Sequence, residues 1–140
     1  MNTLKRFKVA FIAVIVFSLL VGCGQGNTPE GKGVITGRVY FDKNLDENCE
    51  PCECGIEKIQ IRLYQDTCAG EEIAVIATDA DGNFSFENLA PGSYCVFSDL
   101  SPSCDGFLPT TPVSQTVELG VDEKIELDGF GYGPFVEVNN

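Results

Sequence analysis

Histidine and tryptophan are absent from the 140-residue chain, and basic residues are few, with 9 Lys and Arg against 21 Asp and Glu. Without histidine the chain lacks the commonest general base, and its sequence contains no nucleophile–base set and no phosphate-binding loop. We therefore predict that the protein is not an enzyme. The net charge of −12 argues against binding to nucleic acid or anionic lipid head groups, because both carry negative charge. An excess of carboxylates suits a cation as ligand instead.

Long apolar runs are also scarce, and the clearest one lies near the N-terminus. Residues 9–21 are apolar except for Ser18, and they follow a basic start. This run is shorter than the about 20 residues that span a bilayer easily, but it fits the hydrophobic region of a signal peptide. It leads into Leu-Val-Gly-Cys, which resembles the bacterial lipoprotein box. We predict that residues 1–22 are a lipoprotein signal peptide and that Cys23 receives the lipid. A plain secretory signal and a short membrane anchor are the alternatives.

A lipid on Cys23 would make the membrane a partner of the protein, because acyl chains anchor a chain stably when more than one is attached. Residues 23–33 are rich in glycine and are expected to form a flexible tether. Residues 34–132 then form one domain, and residues 133–140 a C-terminal tail. The expected location is the cell envelope, on the extracytoplasmic face of the cytoplasmic membrane or on an outer membrane.

The domain shows no sustained helical periodicity. Apolar residues alternate with polar ones instead, as at Ile59, Ile61 and Leu63, and turn signals such as Asp81-Gly82 separate the alternating segments. This pattern predicts about seven short strands. The fold class is therefore expected to be all-β, with a single immunoglobulin-like antiparallel β-sandwich.

Residues 42–53 place oxygen-bearing side chains at the positions from which an EF-hand loop takes its calcium ligands. The candidate ligands are Asp42, Asn44, Asp46, Asn48, Glu50 and Glu53. Calcium prefers about six to eight oxygens, and a carboxylate in the last position can bind through both of its oxygens. One position departs from the pattern, because Glu47 stands where a glycine usually makes the sharp turn. We predict calcium binding; the alternative is a solvated acidic loop held by disulfides.

Six cysteines remain when Cys23 is set aside: Cys49, Cys52, Cys54, Cys68, Cys95 and Cys104. An even number in a small exported domain predicts three disulfides without deciding the partners. A direct bond between Cys52 and Cys54 is the least favoured, because one intervening residue would strain the ring. A zinc site on the first three cysteines is disfavoured, since the chain has no histidine and a fourth thiolate would have to come from a distant strand.

Two segments carry a family resemblance. Residues 35–44 read ITGRVYFDKN, and residues 78–94 read TDADGNFSFENLAPGSY, which is similar to a TDxDGxYxFxxLxPGxY signature. Together they resemble the B-type domains of serine-aspartate-repeat adhesins, in the collagen-adhesin B-type or transthyretin-like group. The resemblance implies a β-sandwich with calcium bound in the loop after the first strand. The ligands it implies are Asp42, Asn44, Asp46, Glu50 and Glu53.

Several other residues have two interpretations. Asp79 and Asp81 could bind a second cation, but Asp also favours such turns through local hydrogen bonds. Tyr94 is expected to be a core or corner tyrosine, as in other sandwiches. Four aromatic residues could form a sugar-binding platform, although core packing is favoured for them: Phe107, Phe130, Tyr132 and Phe135.

The sequence as a whole predicts a lipid-anchored, calcium-binding, disulfide-stabilised module at the cell surface. Its expected role is structural or adhesive, with an unidentified protein or glycan as its ligand. The alternative is a carbohydrate- or peptide-binding accessory domain without a metal. Both remain open at this point, because sandwiches of this class host many binding roles.

Overall fold

The computed structural model describes residues 30–100 and 106–134. The predicted signal peptide, Cys23, most of the tether, Cys104 and Phe135 lie outside the described residues. The described chain forms nine strands, and it contains no helix long and apolar enough to cross a membrane. The strands are β1 Glu30–Phe41, β2 Gln60–Gln65, β3 Glu72–Ala77, β4 Asn83–Leu89, β5 Gly92–Asp99, β6 Phe107–Pro109, β7 Ser114–Leu119, β8 Lys124–Glu126 and β9 Phe130–Pro134.

The strands form two sheets. The first sheet has the order β4-β1-β9-β6, with β8 also paired to β1, and the second has the order β3-β2-β5-β7. Strand β1 is antiparallel to β4 but parallel to both β8 and β9. The predicted all-β sandwich is therefore confirmed with two corrections. The described residues form nine strands rather than about seven, and the first sheet is mixed rather than antiparallel.

Both corrections have a physical reason. Strand β6 has three residues, which is too short for an alternating pattern to emerge from the sequence. Strand β9 reads FGYGP, and its glycines and proline are disfavoured within strands. The chain reaches β8 from β7, which belongs to the opposite sheet. It enters the first sheet running in the same direction as β1, and pairing direction of this kind depends on the tertiary path rather than on local residue types.

The core lies between the two sheets and takes every second residue of the long strands. Ile61 and Leu63 of β2 are fully buried, whereas the neighbouring Gln60 is exposed. On the inner face of the first sheet, Phe84 of β4 stacks on Phe130 of β9 with 6.1 Å between the ring centroids. The alternation visible in the sequence therefore marks the inner face of each strand, because successive side chains point to opposite faces of a sheet.

Three of the four aromatic residues considered as a sugar platform serve packing instead. Phe130 and Tyr132 are each only 1% exposed. Phe107 is half-buried and packs edge to face on Phe41, with 5.4 Å between the ring centroids. Core packing is confirmed for the first two, and Phe135 lies outside the described residues.

The domain extends further than predicted at both ends. Residues 30–33, assigned to the tether, belong to β1, and residues 133–134, assigned to the tail, belong to β9. Gly33, one of the glycines that suggested flexibility, instead permits close packing, since a Cβ added to it would lie 2.5 Å from Leu119 Cδ2. Strand β1 thus runs from the tether side of the domain to the 42–53 loop at its other end.

Tyr94 is a corner tyrosine, as expected. It has no exposed surface, and its hydroxyl donates a hydrogen bond to the carbonyl of Ala90 at 2.7 Å. We expect Tyr94→Phe to lower the free energy of unfolding by about 1 kcal/mol, because it leaves a half-buried carbonyl without its donor. Urea unfolding of the full chain measures this loss.

Tyr64→Phe is the matched control, since the Tyr64 hydroxyl donates to an exposed Glu72 carboxylate at 3.3 Å. That change should cost less than about 0.5 kcal/mol. Equal losses in the two variants would contradict a corner role for Tyr94.

Candidate metal centre

The 42–53 loop connects the end of β1 to a segment that returns along the same strand. Phe41 N donates to Cys54 O at 2.9 Å, and Ile56 N donates to Val39 O at 3.0 Å. These bonds tie the loop down where it leaves and where it returns. The loop therefore leaves the sandwich and returns to it at the same end of β1.

The first and last residues of the loop are buried carboxylates. Asp42 is 0% exposed and Glu53 is 6% exposed, whereas most of the residues between them are exposed. A buried charge is costly unless hydrogen bonds compensate it. The sequence interpretation placed these two residues at the ends of a cation loop, and their burial singles them out from the other acidic residues that the structure describes.

Backbone N–H groups of the loop supply the compensation. Asp42 Oδ1 accepts from Asp46 N at 3.2 Å, and Oδ2 accepts from Glu47 N at 3.1 Å. Glu53 Oε1 accepts from Lys43 N at 3.0 Å, and Oε2 accepts from Glu50 N at 3.4 Å. An ionised carboxylate offers about four acceptor sites. Both groups therefore keep capacity for a cation after these bonds are made.

The electrostatics of the site favour charged Asp42. Burial by itself would raise the pKa of this carboxyl, but a neighbouring hydroxyl on Thr110 and the backbone N–H groups of Glu47, Leu45 and Asp46 outweigh it and lower the pKa. The Thr110 hydroxyl is itself buried and makes no hydrogen bond of normal geometry within the described residues. It therefore acts on Asp42 as a nearby dipole, and Asp42 is a carboxylate at neutral pH.

The pKa of Tyr40 is affected by its burial and by the acidic groups of the loop. Burial is the main cause that raises the pKa of Tyr40 to about 12, and nearby acidic groups, first among them Asp42, add to it. A cation bound in the loop would offset this accumulated negative charge.

The middle of the loop bonds to itself. Asn44 Nδ2 donates to Asp46 Oδ2 at 3.0 Å, and Asn48 N donates to Asp46 Oδ1 at 2.9 Å. Glu50 is half-buried, and its carboxylate accepts from the Cys52 thiol at 3.6 Å. Within the described residues, no three Cys, Asp or Glu side chains converge into a ready-made metal cage. The structure thus brings the two end carboxylates into fixed positions and leaves the other candidates on the rim.

Glu47 makes the sharp turn that the sequence put in doubt. Its φ is 63° and that of Leu45 is 60°, so both adopt the left-handed conformation that glycine usually supplies. A side chain in this region costs roughly 1–2 kcal/mol. This turn directs the Glu47 N–H toward Asp42, whose Oδ2 accepts its hydrogen bond.

Alternating glycines of β9 provide the surface on which the loop rests. A Cβ added to Gly131 would lie 2.6 Å from Thr110 Oγ1 and 2.8 Å from Tyr40 Oη. One added to Gly133 would lie 2.4 Å from Leu45 Cδ2. Sequence reasoning missed these contacts, although glycine at every second position of the segment was the signal that could have revealed them.

One of the predicted disulfides is present, between Cys68 and Cys95. It joins the β2–β3 connection to β5, away from the acidic loop. Cys49, Cys52 and Cys54 are exposed free thiols in this structure, and Cys104 lies outside the described residues. Their pairing stays a prediction.

Asp79 shapes the turn before β4. Its Oδ1 accepts from Asp81 N at 2.9 Å and from Asn83 N at 2.8 Å. These local bonds agree with the turn interpretation of the two aspartates and account for their placement without a second cation.

The strain at Glu47 yields a test. We expect Glu47→Gly to raise the free energy of unfolding by about 0.5–1 kcal/mol, because relief of the left-handed conformation exceeds the entropy that glycine loses on folding. Glu47→Ala is the matched control, since it removes the same carboxylate but keeps a Cβ. Thermal unfolding of both variants separates strain from charge, and an equal gain in the alanine variant would assign the effect to charge.

Comparison with known proteins places this geometry in a family. The family model of the SdrD B-like domain matches residues 33–128. The chain is 40% identical over 87 residues to Colossin-A of Dictyostelium discoideum, a match that covers 62% of this chain and 1% of Colossin-A. It is 30% identical over 114 residues to serine-aspartate repeat-containing protein C of Staphylococcus aureus strain MRSA252, covering 81% of this chain and 11% of that protein. The chain thus spans only a small part of the curated relatives it matches.

Solved structures share the fold. GBS52, the minor pilin of Streptococcus agalactiae, superposes with a TM-score of 0.57 at 10% identity, over 79% of this chain and 48% of GBS52. The TIE protein of Bacillus anthracis gives a TM-score of 0.53 at 18% identity, over 74% of this chain and 18% of that one. The family match includes the acidic loop and both motifs on which the adhesin resemblance rested. The chain belongs to the SdrD B-like domain family.

Proposed function

We propose that the protein is a lipid-anchored, calcium-binding, disulfide-stabilised module of the cell surface with a structural or adhesive role. The observation that carries the metal part is the burial of Asp42 and Glu53 at the two ends of one loop. Backbone N–H groups occupy only part of the acceptor capacity of these two buried carboxylates. A divalent cation would use the remaining capacity and neutralise the buried charge.

The donor set fits calcium better than a softer metal. Every candidate ligand in the loop offers oxygen, and calcium prefers carboxylate and amide oxygens. The residues that would hold the ion are Asp42, Asn44, Asp46, Asn48, Glu50 and Glu53. Calcium would supply two positive charges, and the rim side chains would turn inward to coordinate it. The chain itself fixes the end carboxylates through backbone N–H groups, so that only the rim has to rearrange.

The course of β1 relates the loop to the anchor. The strand has 12 residues, and at about 3.3 Å per residue it separates its two ends by roughly 35–40 Å. A lipid on Cys23 would precede the start of β1, whereas the loop follows its end. The acidic loop would then be displayed at the end of the domain that faces away from the membrane, which suits a structural or adhesive surface module.

The calcium proposal is tested by thermal unfolding of the full chain, first in chelator and then with increasing calcium. We expect a saturable rise in the midpoint, because a ligand specific to the folded form stabilises it by RT ln(1 + [L]/Kd). Asp42→Asn and Glu53→Gln should each abolish most of the rise, since they remove a buried charge while keeping the shape of the side chain.

Glu87→Gln is the matched control, because Glu87 is an exposed carboxylate on β4 and lies outside the loop. It should keep the full calcium response. No response in the unmodified protein, or an unchanged response in both loop variants, would refute calcium binding at this site.

The anchor is tested separately through Cys23. When the chain is expressed in bacteria with a labelled fatty acid, we expect label on the protein and partition into detergent, since acyl chains bring about 0.8 kcal/mol per buried CH₂ to membrane binding. Cys23→Ser should abolish both, whereas Cys49→Ser should abolish neither. A Cys23→Ser chain that still carries the label would show that the lipid is elsewhere.

A further inference from the structure

We infer that Arg38 is a positioning residue that fastens the 42–53 loop to the turn before β4 and sets the loop's geometry for a cation. The expected effect of Arg38 on calcium binding rests on the proposed function, whereas its expected effect on the structure of the loop does not. The Arg38 side chain, on the outer face of β1, reaches three acceptors: Nη2 donates to Glu53 O at 2.8 Å, Nη1 to Cys49 Sγ at 3.4 Å and Nε to Asp81 O at 3.1 Å.

The three acceptors belong to different parts of the chain. Cys49 lies in the exposed middle of the loop, and Glu53 is its buried last residue. Asp81 lies in the turn between β3 and β4, about thirty residues further along the chain. One guanidinium therefore joins two points of the loop to a fixed point outside it.

The turn that contains Asp81 is held by its own hydrogen bonds. Asp79 Oδ1 accepts hydrogen bonds from the N–H groups of Asp81 and Asn83. The chain leaving the loop also touches the turn directly, since a Cβ added to Gly55 would lie 1.8 Å from Asp81 O. Arg38 consequently relates the loop to a backbone that packing and hydrogen bonds already hold.

The contact with Glu53 explains how Arg38 would affect a cation. Arg38 bonds the main-chain carbonyl of Glu53, and the Glu53 side chain accepts from the N–H groups of Lys43 and Glu50. Holding the carbonyl fixes the residue from which the buried carboxylate extends. Arg38 thus acts on the candidate ligand through its backbone and is not itself a ligand.

An electrostatic role and a positioning role of Arg38 predict opposite changes in calcium affinity when the side chain is replaced, which makes the inference testable. A guanidinium beside a calcium site repels the ion, so a purely electrostatic role predicts tighter binding when the charge is removed. A positioning role predicts weaker binding. Lysine keeps the charge but lacks the planar fork that reaches several acceptors at once. Positioning therefore predicts a loss in Arg38→Lys as well as in Arg38→Gln.

The first experiment is calorimetric titration of the full chain with calcium. We expect Arg38→Gln and Arg38→Lys to weaken binding about tenfold, the size of effect that loss of charge-assisted hydrogen bonds produces. Arg62→Gln is the matched control. Arg62 also makes three side-chain bonds, to Asp99, Glu72 and Gln60, but on the second sheet. It should stay within about twofold of the unmodified protein. Unchanged or tighter binding in the Arg38 variants overturns the inference.

The second experiment needs no calcium and measures amide hydrogen exchange in chelator. Arg38→Gln should speed exchange at the loop amides of Asp46 and Glu47, while the amides of Ile61 and Leu63 in β2 keep the protection of the unmodified chain. Unchanged exchange in the loop, or equal acceleration in β2, overturns a positioning role. If the unmodified protein binds no calcium but the exchange pattern appears, the metal proposal fails while Arg38 is confirmed as the loop's fastening.

Discussion

A carboxylate without solvent contact has to find its hydrogen-bond donors inside the protein, and Asp42 is in that situation where β1 ends. Backbone N–H groups of the following loop donate to it, which requires the chain to fold back at once. The left-handed conformations of Leu45 and Glu47 are the consequence, because they turn the N–H groups of Asp46 and Glu47 toward Asp42. Glu53 repeats the arrangement at the other end, and the loop is therefore shaped around two negative charges.

The folding back of the loop also constrains the residues of the sheet beneath it. A loop that turns back over β1 needs room beside β9, and the glycines of β9 give that room to Tyr40, Thr110 and Leu45. Side chains at Gly131 and Gly133 would push the loop away from the sheet. The acidic loop and the last strand are thus parts of one packing unit although more than seventy residues separate them in the chain.

The sequence predicted those features that depend on local residue types. Alternation at Ile59, Ile61 and Leu63 indicated the inner face of β2, and the spacing of carboxylates and amides indicated the loop. What it missed depends on neighbours that are distant in sequence. The parallel pairing of β1 with β8 and β9 follows from the chain's path between sheets, and the contacts of Arg38 require β1, the loop and the β3–β4 turn to meet. A local sequence pattern does not show which distant segments come into contact.

The molecule consequently has two regions with different sources of stability. The sandwich holds an apolar core and the disulfide between Cys68 and Cys95, both independent of the loop. The loop has few buried apolar contacts: Leu45 is 48% exposed, and hydrogen bonds to two carboxylates carry its structure. Segments of this kind open locally at low cost. A cation or an added cystine in the loop would then act first on local opening, while the sandwich below keeps its fold in either state.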